Sequence, residues 1–206
     1  MTRLHTLLRD MRGASAAEFA LVVPLLLLLI FGTIDVGRYA WNLSQAEKAT
    51  QTGARWAVAT NTIPEGLRTY SFAVNGGIAQ GTPVPLGSFP GIYCTGTASS
   101  ANCTWKGTAP SGFSTVYSGA DFKALVDRMK QINPDIDYVN VRVDYDWSGL
   151  GFAGDPNGPD VAPLTTVSLR NLSYTPFSSF IFGQDVALPA FAYTLPMEDG
   201  SGTGSN

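Results

Sequence analysis

From Phe19 to Ile34 the chain reads FALVVPLLLLLIFGTI, a run without a single charge. Counted from Ala14 the low-polarity stretch extends to 21 residues, and Glu18 is its only ionisable group. About 20 helical residues cross a hydrocarbon layer of ~30 Å, so this segment is just long enough to span. Ahead of it, MTRLHTLLRDMRG carries Arg3, Arg9 and Arg12 against Asp10 alone. A basic flank of this kind is retained in the cytoplasm, which puts everything after Asp35 on the far side. A removable signal peptide would need small residues at −3 and −1 soon after the apolar core. The chain offers Gly32-Thr33-Ile34-Asp35-Val36-Gly37-Arg38 there, with no such site, and Ser44-Gln45-Ala46 lies too far downstream.

Glu18 is the costly residue. A carboxylate near the start of a membrane helix is unfavourable by a few kcal/mol, less near the interface, and such groups usually have a partner. Gly13-Ala14-Ser15-Ala16-Ala17-Glu18-Phe19 resembles a prepilin-peptidase site: cleavage after a glycine that follows basic residues, and Glu at position five of the mature chain. The wider run joins Arg12 through Leu25 with Phe31-Gly32, Asp35-Val36-Gly37-Arg38 and Gly53-Ala54-Arg55. It is similar to the TadE-like minor pseudopilins of the tight-adherence (Tad, Flp pilus) machinery over about residues 9–57.

The resemblance implies cleavage between Gly13 and Ala14 by prepilin peptidase, which would create an α-ammonium on Ala14 beside Glu18. In related pilins the carboxylate at that position pairs with the terminal amine of a neighbouring subunit. A charge pair in lipid is far less costly than either ion alone. On this resemblance Glu18, Phe19 and Pro24 are subunit-assembly residues. The partners implied are the peptidase, other pilins and pseudopilins, an inner-membrane assembly platform and lipid. The place implied is the bacterial inner membrane, crossed once, with the head periplasmic and available to an extracellular pilus. The bulk pilins of such systems are much shorter, which favours a minor subunit. The competing reading is an uncleaved membrane-anchored binding or adhesion module.

Beyond Ile34 apolar and small residues keep helical spacing: Val36, Tyr39, Ala40, Leu43, Ala46, Thr50, Gly53, Ala54, Ala57. Asp35, Arg38, Asn42, Gln45, Lys48, Gln51 and Arg55 fall largely opposite, and Asp35 with Arg38 is spaced for a surface pair. A helix over 14–60 would be roughly 70 Å long. Pro24 should loosen or kink it, and Asn61-Thr62-Ile63-Pro64 should end it. The expected organisation is a leader over 1–13, a helix over 14–60 (membrane part 14–34, amphipathic part 35–60), and a β-rich head over 61–206. The fold class expected is α+β and pilin-like, a long helix packed on a small antiparallel sheet with one further helix.

Within the head, 22 Gly and 13 Pro across the chain and only 14% charged residues suggest short strands joined by turns. Tyr70–Val74 and Ser114–Tyr117 are expected strands. Ser118-Gly119-Ala120-Asp121 resembles a capping box ahead of Phe122, Leu125, Val126, Met129 and Ile132, a helix that Asn133-Pro134 should stop. Tyr138–Trp147 alternates, with Val139, Val141, Val143, Tyr145 and Trp147 on one face. Leu164–Tyr174 and Leu188–Leu195 read as two more strands. Between them Phe177, Phe180, Ile181 and Phe182 are expected to cover a core edge. Glu198–Asn206 reads as a flexible tail.

Chemistry is sparse. The one histidine, His5, lies in the leader, which removes His-dependent metal and nucleophile constellations from a processed chain. The leader holds a charge of +2; the other 10 basic and 15 acidic residues leave −5, a poor balance for a nucleic-acid binder. Gly149-Leu150-Gly151-Phe152-Ala153-Gly154 matches GxGxxG. The Asp155-Pro156-Asn157-Gly158-Pro159 that follows cannot open the helix a dinucleotide site needs, so it reads as a loop. Cys94 and Cys103 bracket eight residues and lack the further ligands of a zinc site; outside the cytoplasm a disulfide is the natural outcome. Asp144, Asp146, Asp155 and Asp160 could gather round calcium, or two of them could serve a glycosidase as acid and base. A solvated strand face plus a polar loop explains them equally well. With no convincing catalytic constellation and no cofactor implied, a structural, non-enzymatic protein is the expectation.

Overall fold

The computed structural model describes residues 13–156 and 158–198. Most of the expected leader over 1–13 and of the expected flexible tail Glu198–Asn206 therefore lies outside the described residues. Helix α1 (Ala14–Ala59) continues through Pro24, which is exposed. A short turn of helix, α2 (Gly66–Thr69), follows. Strands β1 (Ile92–Gly96) and β2 (Ala101–Trp105) form a hairpin. Helix α3 (Gly119–Lys130) is followed by a 3₁₀ turn (Tyr138–Asn140), then β3 (Val141–Asp146) and β4 (Leu164–Leu169). A two-stranded ribbon of β5 (Ser173–Tyr174) and β6 (Val186–Ala187) brackets α4 (Ser179–Phe182), and β7 (Phe191–Pro196) closes the main sheet. That sheet is five-stranded and antiparallel throughout, in the order β2-β1-β3-β4-β7. The architecture is α+β: a long apolar N-terminal helix, a further helix and a small antiparallel sheet.

The chain divides into two compact units. One contains the chain up to Trp41 together with Tyr174–Val186; the other contains Asn42–Ser173 and the chain from Ala187 onward. In the second unit the α1 residues Ala46, Ala49, Thr50, Gly53, Ala54, Ala57 and Val58 are buried. Gly53 is needed there. A Cβ at this position would stand 2.7 Å from Met129 Sδ on α3 and 3.4 Å from Val167 Cγ1 on β4, so its absence lets the helix backbone close on both elements. The Thr50 hydroxyl returns to Ala46 O at 2.8 Å, which satisfies a polar atom inside this apolar contact.

Helix α3 forms where the cap and the apolar spacing indicate. Ser118 Oγ accepts the Asp121 N–H at 3.1 Å, and Phe122, Leu125, Val126 and Met129 are buried. On β3, Val141, Val143 and Tyr145 point into the core. Val139 does not: it is 71% exposed, because residues 138–140 form the 3₁₀ turn. Asp137 caps that turn by accepting the Tyr138 N–H at 2.7 Å, and its own N–H donates to Asn140 Oδ1 at 2.8 Å. A local side-chain cap has outcompeted three residues of strand alternation.

The expected strand at 70–74 is instead a turn, and 114–117 contributes only the Pro64–Tyr117 bridge. The aromatic residues of this Gly/Pro-rich stretch pack as a closed ring. Tyr70 lies 4.8 Å from Phe72, Phe72 6.4 Å from Phe89, and Phe89 5.8 Å from Trp105; Trp105 lies 4.7 Å from Phe113, and Phe113 5.4 Å from Tyr70. Edge-to-face and tilted contacts of this kind hold loops together without a backbone ladder. The 164–174 strand ends early, at Leu169, and Asn171 adopts φ 55° before the chain resumes as β5. The 188–195 strand is displaced toward the C-terminus, to Phe191–Pro196.

Candidate assembly and membrane site

Gly13 and Glu18 are exposed at the start of α1, with Glu18 one turn beyond Ala14, the first helical residue. Phe19, Leu21, Leu25, Leu29 and Val36 are exposed as well, as large apolar side chains. The helix is long and apolar enough to cross a membrane, and almost none of its apolar stretch is buried by the protein. An exposed apolar surface of this extent is unfavourable in water and is stable where hydrocarbon covers it.

Asp35, just past the run, is not a surface residue. It is 7% exposed, and it accepts the N–H groups of Phe177 at 2.6 Å and Ser178 at 2.8 Å; the Tyr174 hydroxyl donates to it at 3.4 Å. A carboxylate deprived of water is tolerated when several donors point at it. Arg38, expected to pair with it at the surface, lies with its guanidinium 5.7 Å from the Tyr174 ring centroid and 5.5 Å from that of Phe177. Phe31 stacks on Phe177 at 6.2 Å with an 8° interplanar angle, and Tyr39 meets Tyr174 edge-on at 5.9 Å. Gly32, Val36, Tyr39, Pro176 and Val186 line the groove beside Asp35. So the 174–186 segment clasps the helix near the end of its apolar run, and Phe177 (60% exposed) and Phe180 (96% exposed) do not cover a core edge; the side chains of Ile181 and Phe182 lie outside what the structure describes. Both signals stood in the sequence, an acid directly after an apolar run and an uncharged aromatic segment at Thr175–Gln184, but nothing local indicated that they meet.

In the other unit the four aspartates do not converge. Asp144 and Asp146, on β3, both meet Lys106 Nζ at 2.7 Å, and Arg142 reaches Asp144 through Nη2 at 2.6 Å and Nε at 2.8 Å. Arg142 also lies 3.8 Å from the Tyr93 ring centroid. Burial opposes charge on Asp144, yet the Arg142 and Lys106 hydrogen bonds hold its pKa below the ordinary carboxylate value. Asp160 accepts the Phe72 N–H at 2.6 Å and the Asp155 N–H at 3.1 Å, pinning loops together. Among the described residues no group of three or more His, Cys, Asp or Glu is placed to hold a metal ion. The GxGxxG segment is a loop with Gly149, Gly151 and Gly154 at positive φ; a Cβ on Gly151 would lie 2.6 Å from Asp160 O. Cys94 and Cys103 are directly opposed across the β1–β2 hairpin and form a disulfide.

The fold and the exposed helix together define a protein suited to crossing a membrane once, with an α+β body. Residues 13–55 match the family model described as TadE-like protein, so the N-terminal fifth of the chain is TadE-like, and this points to a component associated with the Tad pilus. The match contains Glu18, Pro24, Asp35 and the buried small residues up to Ala54. No curated protein and no solved structure matches the chain.

Proposed function

We propose that the protein is a minor pseudopilin of the Tad pilus, a structural, non-catalytic subunit. Prepilin peptidase cuts it between Gly13 and Ala14, and it then waits in the inner membrane, head on the periplasmic side, until it joins the pilus or the complex that initiates it. The observation that carries this reading is the TadE-like stretch itself: a continuous exposed apolar helix that begins directly after Gly13 and bears Glu18 at its fifth position. After cleavage the new Ala14 ammonium and the Glu18 carboxylate of an adjacent subunit can neutralise one another in lipid, which sets the register between subunits. Partners are then the peptidase, other pilins and pseudopilins and the assembly platform, in adhesion or secretion.

N-terminal sequencing of the protein from cells with active prepilin peptidase tests it. The expected first residue is Ala14, and a Gly13→Leu variant should keep its leader. Recovery of the wild-type chain starting at Met1 would sink the reading and leave the uncleaved anchored module. Glu18→Ala should be cleaved yet fail to support pilus assembly; normal assembly would remove the role assigned to Glu18.

A further inference from the structure

The segment between β5 and β6 is unusual in what it leaves uncovered. Thr175–Gln184 reads TPFSSFIFGQ, without a charged residue. Phe180, within α4, is 96% exposed, the most exposed of the large hydrophobic side chains of the described residues. The segment is clamped to α1 at both chemical ends: apolar through Phe31 on Phe177, polar through the Asp35 carboxylate on two of its N–H groups. Both clamps lie at the C-terminal end of the apolar run, the level at which a spanning helix leaves the hydrocarbon. The half-exposed Phe177 ring therefore meets the exposed apolar surface of the helix at Phe31.

We propose that Tyr174–Val186 is a membrane strap whose occupant is the lipid bilayer itself: Phe180 enters the interfacial layer beside the point where α1 emerges. Amphipathic elements lie in this layer with an apolar face of residues such as Trp, Phe and Leu buried ~5–10 Å. The Asp35 contacts give the device its geometry. Phe177 and Ser178 turn their backbone N–H groups inward to the carboxylate, so these polar groups are satisfied and the aromatic side chain of Phe180 is left facing out. The inference rests on residues 14–34 being a membrane span, and it is independent of peptidase cleavage.

The two native cysteines are joined in the Cys94–Cys103 disulfide, so an introduced cysteine can be labelled alone. Full-length Phe180→Cys and Leu27→Cys proteins, each carrying an environment-sensitive fluorophore, are reconstituted in phosphatidylethanolamine–phosphatidylglycerol nanodiscs. Nitroxide lipids labelled near the headgroup end or at the end of the acyl chain supply the depth scale. The expected result is blue-shifted emission at both sites: position 180 loses most of its intensity to the shallow nitroxide, and position 27 to the deep one. A quenched position 27 with a water-like, unquenched position 180 overturns the strap and leaves the span intact. Blue-shifted but unquenched emission at position 180 also overturns it, because a protein surface, such as a second copy of the chain, is then the occupant. An unquenched position 27 overturns the span and the strap together.

Discussion

Helix α1 is one element with two unlike stretches. Over residues 19–34 its large apolar side chains are exposed; over 46–58 its buried face is alanine, glycine and threonine, with Val58 the largest member. In water the usual arrangement is the reverse, with large side chains inside and small ones tolerated anywhere. The difference fits two stretches suited to different solvents. The front stretch has the side chains that lipid rewards. The rear stretch is small because α3 and β4 approach its backbone, as the 2.7 Å from a hypothetical Gly53 Cβ to Met129 makes plain.

Truncations should therefore separate the two stretches. Phe122 is fully buried in the unit that packs on the rear stretch, and Phe122→Ala should cost about 3–5 kcal/mol by chemical denaturation in detergent. A loss under ~1 kcal/mol would mean that this core is loosely packed. Next in size, Cys94→Ser with Cys103→Ser should cost about 2.7 kcal/mol from the entropy of the short loop that the disulfide closes; urea midpoints of the oxidised and double-serine proteins check this.

Acid should act on the same unit. Asp144 has a folded pKa below its unfolded value, so its contribution is present above the unfolded value of ~3.9 and is lost as pH falls through the folded one. Asp144→Asn should lower stability at neutral pH and flatten the loss between about pH 5 and pH 2. An unchanged slope would remove Asp144 from that role. Smaller and local, Asp35→Asn should speed hydrogen exchange at the Phe177 and Ser178 amides while leaving β3 and β4 protected. Uniform exchange changes would contradict a strap held separately. The smallest effect belongs to Leu25→Ala. Leu25 is an exposed residue of the front stretch, so the denaturation midpoint of the Phe122-containing unit should not move; a shift comparable with that of Phe122→Ala would erase the distinction drawn between the stretches.

Much of the fold was legible because its signals are local. The helical spacing through Ala57, the Ser118 cap with Phe122, Leu125, Val126 and Met129 behind it, and the alternation of Val141, Val143 and Tyr145 each depend on residues two to four apart. The family resemblance of residues 13–55 was legible for the same reason, since it lies in one uninterrupted segment. The β1–β2 hairpin went unread. Its strands are short, and the tight turn after Gly96 carries no pattern that separates it from the surrounding Gly/Ser/Thr stretch. The aromatic ring through Tyr70, Phe72, Phe89, Trp105 and Phe113 was equally hidden, because its members come from separate loops and the end of β2.

What the sequence determined by itself is the apolar run with Glu18 near its start, the lack of any histidine after His5, the disulfide-competent cysteine pair and the small-residue face of the rear helix. What only the tertiary structure decided is which residues meet across long chain separations. Asp35 is buried by Tyr174, Phe177 and Ser178, roughly 140 residues further along. Spacing specifies which face a residue shares with its neighbours; it does not specify what will be packed against that face. That choice is made by the whole chain, through burial of apolar surface and the cost of leaving buried polar groups without partners.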